Sequence, residues 1–423
     1  MNKIILFSSA ASLFAATGVQ AADLPIVEPV DYVRVCDAFG AGFHYIPGTE
    51  TCLKFSGRVR AEIGIGDDGE DDDETDTSFL NSEFELVINA SSMTEIGLVV
   101  GQFSISGENE GDVEIEDAWI TIGENILVGR ETSRYDFGGG YGIYDGLYVD
   151  EGINQFTFIM PFGNGLSMTL GLEDGRDRRA NIAQYNGDSS AINWISSFST
   201  AGGSVNLTGS ALTGAYVGQD ATYAGMEIPE VVASARISQG WGSAQISGAL
   251  HQIRSISTFD ATAPYTTVTF TAAALDVLDE DYGWAVQAGV ELNVGSMTKV
   301  KVVGAYADGA MHYIGGEDYY DAVVDITTGD ITDTLSGWYV LAGLSHDLSS
   351  ALNVAVTGAY HDFDDQAELW QVSANIEYEV VENLTVSLAG QYTDTEVEQN
   401  TMLGTDASDT DSWEAKLRIQ RDF

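Results

Sequence analysis

Two arginines, Arg58 and Arg60, stand two positions apart in a chain that has only 17 Lys and Arg residues against 65 Asp and Glu residues. Alternate residues of a β-strand point to the same face, and the neighbouring apolar residues occupy the intervening positions. The pattern therefore predicts that both guanidinium groups face one polar surface, where they can hold negatively charged groups. Glu62 and Glu83 are candidate partners, so a structural pairing that only neutralises these carboxylates is an alternative to a functional role.

Residues that could catalyse a reaction do not form a recognisable motif. An enzyme needs a nucleophile, a base and an orienting group gathered at one place. The histidines are dispersed along the chain, and no serine or aspartate motif accompanies any of them: His44, His251, His312, His346 and His361. We therefore predict that the protein is not an enzyme. The absence of nucleotide-binding and metal-ligand motifs likewise predicts that it uses no cofactor.

The N-terminus has the composition of a cleavable export signal. A short positive region precedes a largely apolar stretch at residues 4–19, and residues 19–21 fit a small-x-small cleavage pattern. We assign residues 1–21 to this signal. Export places the mature chain in an oxidising compartment, so Cys36 and Cys52, the only two cysteines, are predicted to form a disulfide.

From Cys52 onward the sequence falls into segments in which apolar and polar side chains alternate, and the last of them, residues 413–423, ends the chain on Phe423. Such alternation predicts strands with one apolar and one polar face. Roughly ten residues of tilted strand cross the hydrocarbon core, where only a closed barrel gives every strand a partner. We therefore predict an all-β fold, a transmembrane antiparallel β-barrel embedded in outer-membrane lipid.

The connections between these segments are alternately short turns and long loops that are acidic or rich in glycine. Outer-membrane barrels have short periplasmic turns and long extracellular loops. Counting hairpins gives about eighteen strands, and merging one weak pair gives about sixteen, so we predict a barrel of 16 to 18 strands around a water-filled interior. Residues 22–51 do not alternate and are predicted to precede the barrel, which would occupy residues 52–423.

Negative charge is concentrated in the predicted loops. The formal net charge of −48 predicts that the protein repels nucleic acid. The densest acidic block, residues 67–76, lacks the glycine and glutamate placement of an EF-hand calcium loop. This block is either a solvated run of charge, or a surface that holds divalent cations beside anionic lipid or draws cations towards the barrel mouth.

Residues 31–54, DYVRVCDAFGAGFHYIPGTETCLK, resemble the N-terminus of the general porins of rhizobial-type alphaproteobacteria. The resemblance rests on the runs Arg34-Val35-Cys36, Ile46-Pro47-Gly48-Thr49 and Cys52-Leu53-Lys54, and by its layout it extends over the mature chain to the terminal phenylalanine. It implies a homotrimeric outer-membrane porin through which small hydrophilic solutes and ions diffuse passively.

The resemblance also implies where such a pore is narrowest. In trimeric porins a long third loop folds into the barrel, and its carboxylates face basic residues of the wall. The corresponding segment here is residues 132–152, whose glycines allow tight bends. The predicted members of the constriction are Asp136, Asp145, Asp150 and Glu151 on the acidic side and Arg58, Arg60, Arg130 and Arg134 on the basic side. Because the mouth and loops are acidic, we expect weak cation selectivity.

Two other functions are alternatives. A substrate-specific sugar channel would line its lumen with aromatic side chains, and the third loop has candidates in Tyr135, Phe137, Tyr141, Tyr144 and Tyr148. Aromatic residues in a glycine-rich loop also serve as packing anchors. A surface adhesin or structural β protein would also be exported and acidic, but it would not need an apolar outward face on successive strands.

Overall fold

The computed structural model describes residues 34–67, 78–109, 111–144, 152–185, 198–201, 204–207, 216–263, 266–268, 279–325, 330–398 and 407–423. The predicted signal at residues 1–21 lies outside the described residues, and so does nearly all of the acidic block at residues 67–76. None of the helices in these ranges is long and apolar enough to cross a membrane.

Sixteen antiparallel strands form one closed barrel. In chain order they are β1 (Cys52–Asp67), β2 (Ser78–Thr94), β3 (Gly97–Glu108), β4 (Val113–Ile122), β5 (Ile126–Thr132), β6 (Gly152–Gly163), β7 (Leu166–Glu173), β8 (Glu230–Gln239), β9 (Gly242–Ala263), β10 (Asp279–Val294), β11 (Thr298–Asp308), β12 (Ser336–Ser349), β13 (Leu352–Phe363), β14 (Ala367–Val381), β15 (Leu384–Val397) and β16 (Ser408–Asp422). Each strand pairs with the next, and β16 pairs with β1, so the barrel has no open edge. The predicted barrel fold is confirmed.

The higher count of eighteen strands was wrong because of one hairpin. The segment that contains Val205 and Leu207 pairs only within a short two-stranded sheet, Phe198–Ala201 with Ser204–Leu207, which is separate from the barrel. This hairpin belongs to the connection between β7 and β8. Strands of this length are shorter than the roughly nine to eleven residues that cross a bilayer core.

The alternation of the sequence has the predicted orientation. Outward side chains are apolar and exposed, such as Leu80 at 77% and Ile246 at 63%, whereas inward polar side chains such as Gln287 and Thr157 are buried. Three Trp–Tyr pairs lie on the outer surface with ring centroids 5.2 to 5.4 Å apart: Trp284–Tyr306, Trp338–Tyr360 and Trp370–Tyr392. Amphipathic rings of this kind mark the level of the lipid headgroups.

A short segment precedes the barrel and is covalently joined to it. Cys36 is bonded to Cys52, the first residue of β1, and their Cα atoms are 6.2 Å apart, which confirms the predicted disulfide. The segment contains a 3₁₀ turn, Asp37–Phe39, and the strand His44–Tyr45, which pairs with the start of β1. The first described residues therefore cover the short-turn end of β1.

Parts of the long connections pack into the barrel near its long-loop end, and other parts extend the sheet at the end of β9. They contain the 3₁₀ turns Gly175–Arg178 and Met311–Ile314 and the strands Asn181–Tyr185, Tyr216–Tyr223, Thr266–Val268, Tyr320–Asp325 and Ile331–Thr334. Met311, Tyr313 and Ile314 are buried against Leu341 of β12 and Phe363 of β13. The hydrophobic core therefore fills the lumen beside β8 to β13 and leaves the side near β16, β1 and β2 to polar residues.

Candidate functional site

The third long loop lies against the inner wall of the barrel. It leaves β5 at residue 133 and is described as far as residue 144. Its hydrogen bonds reach seven strands of the wall: β7, β9, β10, β11, β13, β14 and β16. Near its start Ser133 Oγ donates to Glu173 of β7 at 2.9 Å, and midway Tyr141 N donates to Thr357 Oγ1 of β13 at 2.8 Å. At its far end Tyr144 Oη donates to Glu414 Oε1 of β16 at 2.6 Å. The loop therefore follows the inner wall from β7 to β16.

Two glycines allow the loop to approach the wall this closely. A Cβ atom at Gly140 would lie 2.2 Å from Cγ2 of Thr357. Gly142 has a φ of +105°, which favours glycine, and a Cβ there would lie 1.8 Å from Oδ1 of Asn375. The glycine-rich sequence of the loop is thus a requirement of its contact with β13 and β14.

Arg58 and Arg60 face the lumen, as the alternation of β1 predicted. Each forms an ion pair with the neighbouring strand β2: Arg58 Nη2 is 2.8 Å from Glu85 Oε2, and Arg60 Nη1 is 3.0 Å from Glu83 Oε2. Opposite residues of adjacent antiparallel strands are close enough for such contacts. Glu83, the partner of Arg60, is one of the two carboxylates that the sequence suggested as partners.

Glu62 of β1 is paired with two basic residues of the neighbouring strand β16, which were not singled out from the sequence. Arg418 Nε donates a hydrogen bond to Glu62 Oε1, and Lys416 Nζ lies 3.6 Å from Glu62 Oε2 and 3.1 Å from Glu414 Oε1. Closure of β16 onto β1 brings these residues together. The polar face of the last strand was visible in the sequence, but its register against β1 was not.

The remaining predicted residues have three different positions. Arg134 lies at the start of the loop and forms an ion pair with Glu131. Arg130 pairs in register with Asn154 and lies on the same face of β5 as the outward Val128, so it points away from the lumen; its Nη1 is 3.6 Å from Asp177 Oδ2. Asp145, Asp150 and Glu151 lie outside the described residues.

Asp136 is a buried anchor of the loop. Its Oδ2 is 3.3 Å from Nη2 of Arg178, in the connection after β7, and both side chains are almost completely buried. The guanidinium of Arg178 also lies over the ring of Tyr313, 4.5 Å from its centroid, and its Nε is 3.8 Å from Glu173 Oε2. Burial lowers the pKa of Arg178, but attraction to Asp136 and other anionic groups outweighs burial, so the pKa is raised overall and Arg178 stays charged.

Two of the loop tyrosines that could form an aromatic track have their hydroxyls bonded to the wall, and Tyr148 lies outside the described residues. Tyr141 Oη donates to Glu291 Oε2 at 3.0 Å, and Tyr144 Oη donates to Glu414. Burial, and then the hydrogen bond to Glu414, raises the pKa of the Tyr144 hydroxyl. Tyr135 and Phe137 are buried. These rings therefore pack the loop against the wall.

Open space remains between the loop and the wall. A cavity of about 340 Å³ is bounded on one side by Tyr141, Gly142 and Ile143. Its other side is polar wall, and includes Arg418 and Asp422 of β16. A lining of charged and neutral polar side chains suits the passage of hydrated solutes.

Comparison with known proteins agrees with this architecture. Porin Omp2b of Brucella suis is 29% identical over 333 residues, which cover 73% of this chain and 74% of the relative. Porin Omp2a of Brucella ovis is 34% identical over 206 residues, which cover 41% of this chain and 59% of the relative.

Solved structures show the same fold at low sequence identity. The outer membrane channel DcaP of Acinetobacter baumannii has a TM-score of 0.62 at 14% identity and covers 90% of this chain and 99% of its own. The trimer form of OmpT from Vibrio cholerae has a TM-score of 0.53 at 9% identity and covers 89% of this chain and 100% of its own.

A model of the porin subfamily matches residues 23–418, which is nearly the whole chain. The match agrees with the structure, which is a closed barrel with an outward apolar face, a polar lumen and a long loop along the inner wall. The chain therefore belongs to the porin subfamily and forms an outer-membrane channel for passive diffusion.

Proposed function

We propose that the channel is weakly cation-selective and that it is narrowest between the third loop and the wall formed by β16, β1 and β2. The basic side of this constriction is Arg58 and Arg60, with Lys416 and Arg418 beside them. Arg134 stands where the loop enters. Asp145, Asp150 and Glu151 are proposed for the acidic side, whereas Arg130 is left out because it faces outward and Asp136 because Arg178 holds it.

One observation carries the selectivity. Each of the four basic side chains proposed for the constriction forms an ion pair with a carboxylate: Arg58 with Glu85, Arg60 with Glu83, and Lys416 and Arg418 with Glu62. Glu414 adds a further negative charge beside Lys416. The wall therefore has no excess positive charge, and the net charge of −48 is free to raise the local concentration of cations.

The test is the reversal potential across a planar bilayer under a salt gradient. The unmodified protein should show a modest preference for cations. The double variant Glu83→Gln/Glu85→Gln leaves Arg58 and Arg60 without partners and should shift the preference towards anions, whereas Arg58→Gln/Arg60→Gln should strengthen the preference for cations. A clear preference for chloride in the unmodified protein would contradict the proposal.

We further propose that the protein is a homotrimer whose subunits meet through β1 to β4. The outward Trp and Tyr residues of the headgroup level lie on β10 to β16, and none points outward from the described strands β1 to β9, the part of the barrel that contains β1 to β4. Small residues such as Gly57 and Gly101 lie on that face instead. A surface without headgroup anchors and with close-approach positions suits contact with protein better than contact with lipid.

A bulky residue introduced on the outward face distinguishes the proposed subunit interface from the lipid-facing surface. In Gly101→Leu the added Cβ meets no heavy atom closer than 4.0 Å, so the monomer accommodates it, but the trimer should dissociate more readily in detergent. Gly390→Leu, on the lipid-facing side of β15, is the matched control and should leave the trimer intact. Light scattering of the purified protein measures both, and equal dissociation would reject β1 to β4 as the interface.

We also propose that residues 1–21 are removed on export and that residues 22–51 form a segment in front of the barrel domain, 52–423. The family match begins at residue 23, just after the proposed cleavage site. N-terminal sequencing of the protein from outer membranes tests this.

We propose no enzymatic activity and no cofactor, since the relatives are named as porins.

A sugar-specific channel is the weaker candidate. Its aromatic track would come from the third loop, but Tyr141 and Tyr144 bond to wall carboxylates and Tyr135 is buried. Saturable block of the current by an oligosaccharide would favour it over general diffusion.

A further inference from the structure

A second cavity lies beneath the third loop, on the side of the short turns. Its volume is about 320 Å³, and it is bounded above by Arg134, Asp136 and Phe137 of the loop. Its wall is the inner face of β7 to β9, where Arg236 stands opposite Ser167 of β7 and Gln245 of β9. We call this cavity the Arg236 recess.

Arg236 differs from Arg58, Arg60 and Arg418, the other arginines on the inner faces of the described barrel strands, because it has no carboxylate partner among the described residues. Its Nη1 donates to Gln245 Oε1 at 3.3 Å and its Nη2 donates to Ser243 Oγ at 3.5 Å, both long bonds to neutral oxygens. Its guanidinium lies over the ring of Phe137, 5.0 Å from the centroid. The side chain is therefore positioned by packing while its charge remains available to a ligand.

The carboxylates near the Arg236 recess have cationic partners other than Arg236. Asp136 and Glu173 share the buried Arg178, and Glu131 is paired with Arg134. Glu291, on the neighbouring strand β10, lies 3.5 Å from Lys301 Nζ and accepts a hydrogen bond from Tyr141. Among the residues that line the recess, Arg134 and Arg236 outnumber Asp136, so its lining has a net positive charge in an otherwise acidic protein.

The rest of the wall offers hydroxyl groups. Ser167, Thr169 and Ser234 line the recess. Thr169 Oγ1 and Ser234 Oγ are 2.6 Å apart and share one hydrogen bond, so each retains capacity for another partner. A planar guanidinium beside a row of hydroxyls matches a ligand with an oxyanion at one end and hydroxyl groups along its body.

We propose that the Arg236 recess is a binding site for small polyhydroxylated anions, with Arg236 holding a phosphate or carboxylate group and the serine and threonine hydroxyls holding the rest of the solute. The site lies beside the proposed path and not across its narrowest part. It gives a channel with a general cation preference a local means to retain anionic nutrients during passage. The inference concerns solute preference, so its failure would leave passive diffusion and ion selectivity unchanged.

The test measures binding directly, by isothermal titration calorimetry of the detergent-solubilised protein with glycerol 3-phosphate. We expect glycerol 3-phosphate to bind saturably and glycerol not to bind. The affinity of the Arg236→Gln variant for glycerol 3-phosphate should be weaker by about tenfold or more. Lys299→Gln removes an equal charge from the inner face of β11, outside the recess, and should bind as the unmodified protein does. Arg236→Lys, which keeps the charge but not the fork, should lie between the two.

Conductance provides the second readout. Glycerol 3-phosphate should reduce the single-channel current in a saturable manner, and Arg236→Gln should remove this block. Unchanged affinity in Arg236→Gln, equal loss in Lys299→Gln, or equal binding of glycerol would each overturn the proposal. If Arg236→Gln does not fold, judged by heat-modifiable migration, Ser167→Ala and Ser234→Ala replace it, with a loss of affinity expected in each.

Discussion

Arg178 shows how much a single buried charge contributes to the position of the third loop. Its side chain is 0% exposed and lies between Asp136, Glu173 and the ring of Tyr313. Arg178→Met would leave two buried carboxylates without their cation. The expected loss of stability is about 3 to 5 kcal/mol, because desolvated charges remain unpaired. The midpoint of heat conversion from folded to unfolded protein measures it.

The control stands two residues away. Arg176 forms an ion pair with Asp174, but its side chain is 65% exposed, and exposed pairs contribute little. Arg176→Met should therefore leave the midpoint unchanged. Equal losses in both variants would mean that the Asp136–Arg178 contact does not hold the loop.

The sequence predicted Asp136 as one of the acidic residues of the third loop, but not its contact with Arg178. A sequence shows only the position of a residue along the chain. Arg178 is 42 positions away from Asp136, and only the packing of two loops brings them together. Arg58 and Arg60, in contrast, were oriented correctly, since strand alternation alone decides which face they share.

His312 predicts a pH dependence. Burial, and then the positive charge of Arg178, lowers the pKa of His312 from 6.5 to about 4. Between pH 6.5 and pH 4 the unfolded chain binds a proton that the folded protein does not. Stability should therefore fall on acidification through this window, by up to about 3 kcal/mol, and recover as the pH rises. Heat-conversion midpoints between pH 4 and pH 7 measure the change.

The pH prediction is read as a difference from His312→Gln, because other buried groups titrate nearby. Burial raises the pKa of Asp321 above its ordinary value, so its protonation favours the folded state at low pH and opposes the effect of His312. This contribution persists in His312→Gln. An identical pH profile in the two proteins would show that His312 is accessible to protons in the folded state.

At the scale of elements, the contact between the third loop and the wall depends on glycine. In Gly142→Ala the new Cβ would overlap Asn375, and the backbone φ of +105° would be strained as well. We expect the loop to leave the wall, with a changed single-channel conductance and increased current noise. Gly295→Ala, in the turn between β10 and β11, has a φ of +70° and meets nothing within 4 Å. This variant has the backbone strain without the steric overlap, so its single-channel conductance should be normal.

The strands were predictable because a bilayer imposes a simple pattern on each of them. Outward positions such as Phe55 and Leu170 must be apolar, and every second residue repeats the signal. The hairpin at residues 198–207 has the same local alternation without crossing the membrane, which is why hairpin counting gave too many strands. The path of the third loop depends on contacts with seven strands, so its prediction came from the family resemblance and not from the alternation pattern.

At the scale of the whole molecule, the apolar core and the charges divide the barrel between them. Loops packed beside β8 to β13 fill one side of the lumen, and paired charges line the other. Pairing makes the wall nearly neutral, so the net field that an ion meets comes from the acidic excess of the chain as a whole. Selectivity is therefore a property of the complete charge distribution more than of any one residue.

This origin of selectivity predicts its dependence on salt. A field from exposed carboxylates acts over the Debye length, which is about 30 Å at 0.01 M salt and about 3 Å at 1 M. The ratio of cation to anion permeability should be highest in dilute salt and fall towards the ratio of the ion mobilities in concentrated salt. Asp112→Asn/Glu114→Gln, at exposed positions of the long-loop end, should lower the ratio in dilute salt only. A ratio that stayed constant from 0.01 M to 1 M would place selectivity at the constriction instead, where ions touch the wall and screening is weak.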